Sequence, residues 1–189
     1  MLKAAVLLAA VSGLAVLATA SAETPENPNA AEAKGLVKEF ATSLKGELEA
    51  AMKAGGPISA ITVCKDRAPA IARDLSAKSG WEVGRTALKL RNAALNAPDP
   101  WEKGVLVRFE ERKAAGEDVQ TIAYAEVVET DGGKQFRFMK AIPTADVCLA
   151  CHGESINPDI AAAIDKAYPD DQARGFKVGD IRGAFTLSK

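Results

Sequence analysis

The chain has three cysteines and one histidine, and all of them but Cys64 fall within five positions, Cys148-Leu149-Ala150-Cys151-His152. This is C-x-x-C-H, the attachment signature for c-type haem. Two thiols one helical turn apart can reach both vinyl groups along one porphyrin edge. The adjacent imidazole then turns under the iron as an axial ligand. Two alternatives use the same residues. Cys148 and Cys151 could form a redox disulfide, although the strand-then-helix context of such proteins is missing here. Cys64, Cys148, Cys151 and His152 make a legal zinc set, although adjacent Cys151 and His152 sit awkwardly in one tetrahedron. A lone histidine excludes two-His metalloprotease and facial-triad sites.

The first 22 residues read as an address. Lys3 supplies a positive start, an apolar run follows from Ala4 to about Ala18, and Ala20-Ser21-Ala22 is a small-x-small cleavage site. The run is too short for a membrane span, which needs about 20 apolar residues. We expect a signal peptide over 1–22, cleaved before Glu23, and a mature chain with no membrane span that is periplasmic or otherwise exported. Haem of this type is attached outside the cytoplasm, so leader and motif agree. With 24 basic and 25 acidic residues there is no basic excess, and nucleic acid is not an expected partner. At 48% hydrophobic content the chain can build a core.

Residues 23–30, with Pro25 and Pro28, read as a flexible lead, and 31–189 as a single domain. Leu36, Val37, Phe40, Leu44 and Leu48 recur at helical steps and predict a long amphipathic helix over 31–53, stopped at Gly55-Gly56-Pro57. Pro69 opens a helix that ends at Ser79-Gly80, and Trp81–Leu90 reads as extended. Asp99-Pro100-Trp101-Glu102 is a capping box that starts a helix ending near Gly116. Gln120–Glu129 and Lys134–Ile142 read as a hairpin around Asp131-Gly132-Gly133. Thr144 suits the cap of a short helix carrying the motif, Asn157-Pro158 opens another helix to Ala167, and Asp180–Ser188 alternates like a last strand. The class is α+β, an antiparallel sheet flanked by helices.

The second axial position is open to several donors: Met52, Met139, Cys64, a lysine, or water. Met139 alternates with core residues in its strand. Cys64 has no partner once Cys148 and Cys151 hold haem, and it is equally consistent with a ligand and with a small buried core residue. A thiolate donor would favour ferric iron relative to Met ligation, and Lys65 and Arg67 would favour the thiolate. Arg85 and Arg91 are candidates for contact with haem propionates, because guanidinium matches carboxylate in fork geometry, and equally for ordinary ion pairs. Trp101, Phe136, Phe138 and Arg182 read as structural.

Several longer patterns accompany the motif. They are Ala60-Ile61-(2)-Cys64-(3)-Ala68-Pro69-Ala70-Ile71-Ala72, Gly84-Arg85-Thr86, Arg91-Asn92-(3)-Asn96-(1)-Pro98-Asp99-(1)-Trp101-Glu102, Cys148-(2)-Cys151-His152-Gly153, Tyr168-Pro169-(1)-Asp171-(1)-Ala173-(1)-Gly175, and Gly179-Asp180-Ile181-Arg182-Gly183-Ala184. In this order, across nearly the whole chain beyond the leader, they make it resemble the single c-type haem sensor-domain family. The resemblance implies a PAS-like fold and one covalent haem c. It places the proximal ligand on His152 and the distal ligand on Cys64. It also implies an extracytoplasmic input role in signalling.

Three functions follow as expectations. The first is a redox or diatomic-gas sensor, in which Cys64 leaves the reduced iron and admits CO or NO. The alternative is a soluble electron-transfer cytochrome with a redox partner protein, its ligation retained in both oxidation states. An enzyme is not expected, since peroxidase-like chemistry needs a distal acid–base group and no second histidine exists.

Overall fold

The computed structural model describes residues 27–189. The expected signal peptide over 1–22 and the start of the lead lie outside the described residues. Helix α1 (Pro28–Thr62) is capped by Asn27, whose side chain accepts from the Asn29 N–H at 2.9 Å. It therefore begins inside the segment read as a flexible lead. Asn27 followed by Pro28 at the first position is itself a helix-start pair.

The Gly55-Gly56-Pro57 stop is present as a kink. Gly55 (φ −153°, ψ 18°) and Gly56 (φ 69°, ψ −164°) leave helical geometry, and the chain resumes as a helix from Pro57. That φ/ψ pair at Gly56 is open essentially to glycine alone. Proline lacks an N–H, a loss that costs least at the start of a helical stretch. The second arm passes into a π-helical turn, Val63–Arg67, and then α2 (Ala68–Ser79), which ends on left-handed Gly80.

Strand β1 (Glu82–Thr86), the short α3 (Ala93–Asn96) and α4 (Pro100–Ala114) follow. The capping box of α4 is complete: Asp99 accepts from the Glu102 N–H at 2.7 Å, and Glu102 accepts from the Asp99 N–H at 3.0 Å. Next come β2 (Ala123–Thr130) and β3 (Gly133–Pro143), the expected hairpin. A 3₁₀ turn (Asp146–Cys148) and α5 (Leu149–His152) carry the cysteine motif. Helix α6 (Pro158–Ala167) and β4 (Ile181–Ser188) complete the chain. Thr144 does not cap the motif helix. Its buried hydroxyl has no hydrogen-bond partner among the described residues, while its backbone bonds to Gly179 and Asp180.

The four strands form one antiparallel sheet in the order β1-β4-β3-β2. The class is α+β, with helices on both faces of the sheet. Side chains alternate along β3. Phe136 and Phe138 face α1 and α2, in a core with Phe40, Leu75, Trp81 and Leu187. Met139 and Ala141 face α4, in a second core with Val105, Leu106, Phe109 and Ile122. Met139 is fully buried there and belongs to the core. Trp101 is only half-buried: its Nε1 donates to Glu126 at 2.9 Å, and Arg137 stacks on its ring. Among the described residues no helix is long and apolar enough to cross a membrane.

Candidate functional site

A cleft of about 1210 Å³, counting the mouth that opens to solvent, lies between three parts of the fold. The kinked α1 and its π turn contribute an apolar wall with Leu44, Leu48, Met52 and Ile61, and also Cys64. The segment after β1 contributes Arg85, Leu90 and Arg91. The third wall holds Cys148, Cys151, His152, Tyr168 and Arg182. Residues far apart in sequence thus meet here. Cys64, the three residues of the C-x-x-C-H motif, Arg85 and Arg91 all line the cleft. Of the two methionines weighed as donors, Met52 lines it and Met139 does not. Phe136 and Phe138 are in the core, away from it.

His152 is held firmly. Its Nδ1 lies 2.7 Å from the Ala173 carbonyl oxygen, a contact that only Nδ1–H can satisfy, so Nε2 keeps its lone pair. Burial, then the charges of Arg182 and Arg91, push its pKa down to about 2, and the imidazole is neutral across the physiological range. A neutral ring with one nitrogen anchored to a backbone carbonyl is the form that ligates a metal. The Arg182 Nε stands 3.1 Å from Nδ1 and 3.4 Å from Nε2, nearly equidistant from both.

The segment that holds the ring is itself pinned by Arg91. This guanidinium donates through Nη2 to the Cys151 carbonyl at 2.6 Å and the Ala173 carbonyl at 3.2 Å. It also pairs with Asp171 at 3.0 Å, where the two side chains are 8% and 1% exposed. Burial penalises the Asp171 charge. The hydrogen bonds from Arg91, Arg174 and the Ala173 N–H outweigh that penalty, and its carboxyl lies below the usual range. Phe176 N–H donates to the His152 carbonyl at 2.9 Å, and Gly175 N–H to the Gly153 carbonyl at 3.0 Å. A Cβ on Gly153 would stand 2.7 Å from the Leu149 carbonyl oxygen, so the turn after His152 closes only with glycine.

Cys64 occupies the π turn, where the helix widens by one residue per turn, a feature often found at functional sites. Burial raises the Cys151 thiol pKa, and it lifts the Tyr168 hydroxyl to about 12, so Tyr168 stays protonated. All three cysteines are free thiols. Among the described residues no three His, Cys, Asp or Glu side chains are grouped so as to hold a metal ion, which leaves the zinc alternative without a ligand set. No Asp or Glu lines the cleft, whereas Arg85 and Arg182 do. An apolar hollow lined by two thiols, an anchored imidazole and two arginines that hold no carboxylate among the described residues, Arg85 and Arg182, fits a flat apolar group bearing acid substituents, as haem is. Asp171, Tyr168 and Arg182 were not among the expected site residues. The signal for Arg182 was the one charge in an otherwise uncharged strand; for Asp171 it was a place in the Tyr168–Gly175 pattern.

The chain matches the Tll0287-like family over residues 10–189. Its fold is similar to the crystal structure of the cyanobacterial heme-protein Tll0287, with a TM-score of 0.66 and 22% sequence identity, over 86% of this chain and 96% of that one. No curated protein matches the sequence.

Proposed function

The chain belongs to the Tll0287-like family, and from that premise we propose that it is an exported haem-binding protein. In this reading it holds one covalent haem c and reports redox state or a diatomic gas. The observation that carries the reading is the meeting of Cys64 with Cys148, Cys151 and His152 in one apolar cleft. Bound haem would supply a one-electron Fe(III)/Fe(II) couple and, were Cys64 to give up its place, a site for CO or NO. Cys148 and Cys151 anchor the group by its edge. His152 presents a neutral Nε2, and the Ala173 carbonyl fixes the tautomer. Cys64 is the distal donor, and as a thiolate it favours the ferric state.

The sensor reading rests on where Cys64 sits. The π turn follows a helix already broken at Gly55 and Gly56, so the distal donor stands on an irregular element, of the kind often found at functional sites. The walls that hold His152 are pinned by buried hydrogen bonds, and in this reading the displaceable donor is the distal one. The one imidazole of the chain is the proximal ligand, which leaves no distal acid–base histidine, and we propose no enzymatic role.

The test is the ultraviolet–visible spectrum of protein matured in cells that attach c-type haem: oxidised, reduced, and reduced under CO. The expected result is a thiolate-ligated ferric spectrum, lost in Cys64→Ala, with CO binding after reduction. Absence of a Soret band in matured protein sinks the haem reading. A reduced form that stays six-coordinate and ignores CO would instead favour a soluble electron-transfer cytochrome.

A further inference from the structure

The charge in the cleft is unbalanced. Arg67, Arg91, Arg112, Arg137 and Arg174 each hold a carboxylate within ion-pair distance. Arg85 and Arg182 do not, among the described residues. Arg85 makes no side-chain hydrogen bond there, and its guanidinium stands 5.6 Å from the centre of the Phe40 ring. Arg182 stands 5.4 Å from the Phe176 ring centre, and its Nη1 donates only to the Lys89 carbonyl at 3.3 Å. The hollow behind Arg182 contains Glu110 and Asp180, but Asp180 is taken by Lys113 and Glu110 lies outside ion-pair distance of Arg182.

Partly buried guanidiniums without counter-charges are costly, and a protein keeps them where a ligand supplies the anion. Two such cations with no carboxylate beside them in the cleft require an occupant with about two negative charges. Taking the haem reading above as given, we propose that Arg85 and Arg182, and not Arg91, bind the two propionate carboxylates. Arg91 is set apart by its own geometry: Asp171 already balances its charge, its Nε and Nη2 serve Asp171, the Cys151 carbonyl and the Ala173 carbonyl, and its Nη1 stands 3.4 Å from the His152 Nε2. The charges then balance: a thiolate from Cys64 offsets the net positive charge of a ferric porphyrin core, and each guanidinium offsets one propionate. Arg182 thereby acts in two places, beside the proximal imidazole and on the acid edge of the same group.

The experiment uses the full chain with Cys148→Ser and Cys151→Ser, so that the group binds reversibly, and compares ferric protoporphyrin IX with its dimethyl ester. Circular dichroism checks that each variant is folded. The diacid is expected to bind on the order of 100-fold more tightly than the diester, about tenfold for each charge-assisted pair. Arg85→Gln and Arg182→Gln should each remove about tenfold of that preference, and Arg→Lys at the same positions should restore part of it. Arg91→Gln should weaken both porphyrins alike. Equal affinity for diacid and diester overturns the proposal while leaving the haem reading intact. So does a preference that survives Arg182→Gln and disappears in Arg91→Gln. Failure of a folded chain to bind either porphyrin overturns both.

Discussion

Asp171 holds the proximal wall through one carboxylate. Oδ1 accepts from the Arg91 Nε and the Ala173 N–H, and Oδ2 accepts from Arg91 and Arg174. Asp171→Asn leaves the Arg91 charge buried and unpaired, and breaking such a pair costs about 3–5 kcal/mol. Urea unfolding of the full chain measures this, with Lys45→Gln, from an exposed pair with Glu49, as the near-neutral control. The pH dependence has a definite sign. The folded carboxyl pKa is depressed, so the stability from this group is complete above the unfolded aspartate value of about 3.9 and is lost as pH falls through the lower folded value. Asp171→Asn should remove that part of the acid transition. At this scale Cys148, Cys151 and His152 could be singled out because the C-x-x-C-H pattern is fixed in residue type and spacing, and the structure brings all three to one cleft. Arg182 could not be, because its role depends on strand β4 lying beside a helix 30 positions earlier, a placement seen in its contact with His152.

Helix α1 shows how far an element can be read from local signals. Gly55-Gly56-Pro57 announced a break, yet the helix bends there and continues, because the second arm finds its own packing surface through Ala60 and Val63. Local chemistry set the position of the break and tertiary contacts decided its form. The π turn had no sequence mark at all. The start of α4 was readable to the residue, since Asp99 and Glu102 satisfy each other without help from the rest of the fold. Gly56→Ala tests the kink. An added Cβ would meet nothing within 4 Å, so any loss is backbone strain. At φ 69° and ψ −164° that strain is about 1–3 kcal/mol. The expected readout is a lower unfolding midpoint, together with a shift in the reduced CO spectrum if the kink governs how Cys64 approaches the cleft. An unchanged midpoint would show that the kink relaxes without cost.

The cleft is a property of the whole molecule, because its walls come from residues 44–64, 85–96 and 142–183. No window of sequence contains it, which is why the alternating strands and the helix faces could be read while the hollow between them could not. A group bound across those walls links them, and binding to the folded state alone adds stability. A ligand held at 1,000 times its dissociation constant contributes about 4 kcal/mol. For a domain of this size each kcal/mol moves the unfolding midpoint by about 2–4 °C, so matured protein should melt about 10 °C above the Cys148→Ser/Cys151→Ser chain. Scanning calorimetry on the two proteins measures the gap, and coincident midpoints would mean that the attached group does not bridge the walls.

The order of strands in the sheet carries a consequence for how the molecule is made. β4 lies between β1 and β3, yet it is the last element in the chain. A polypeptide emerging N-terminus first completes its motif turn, 148–152, some thirty residues before the strand that joins the two halves of the sheet. Until that strand arrives, β1 has no neighbour and Arg182 is not yet beside the imidazole.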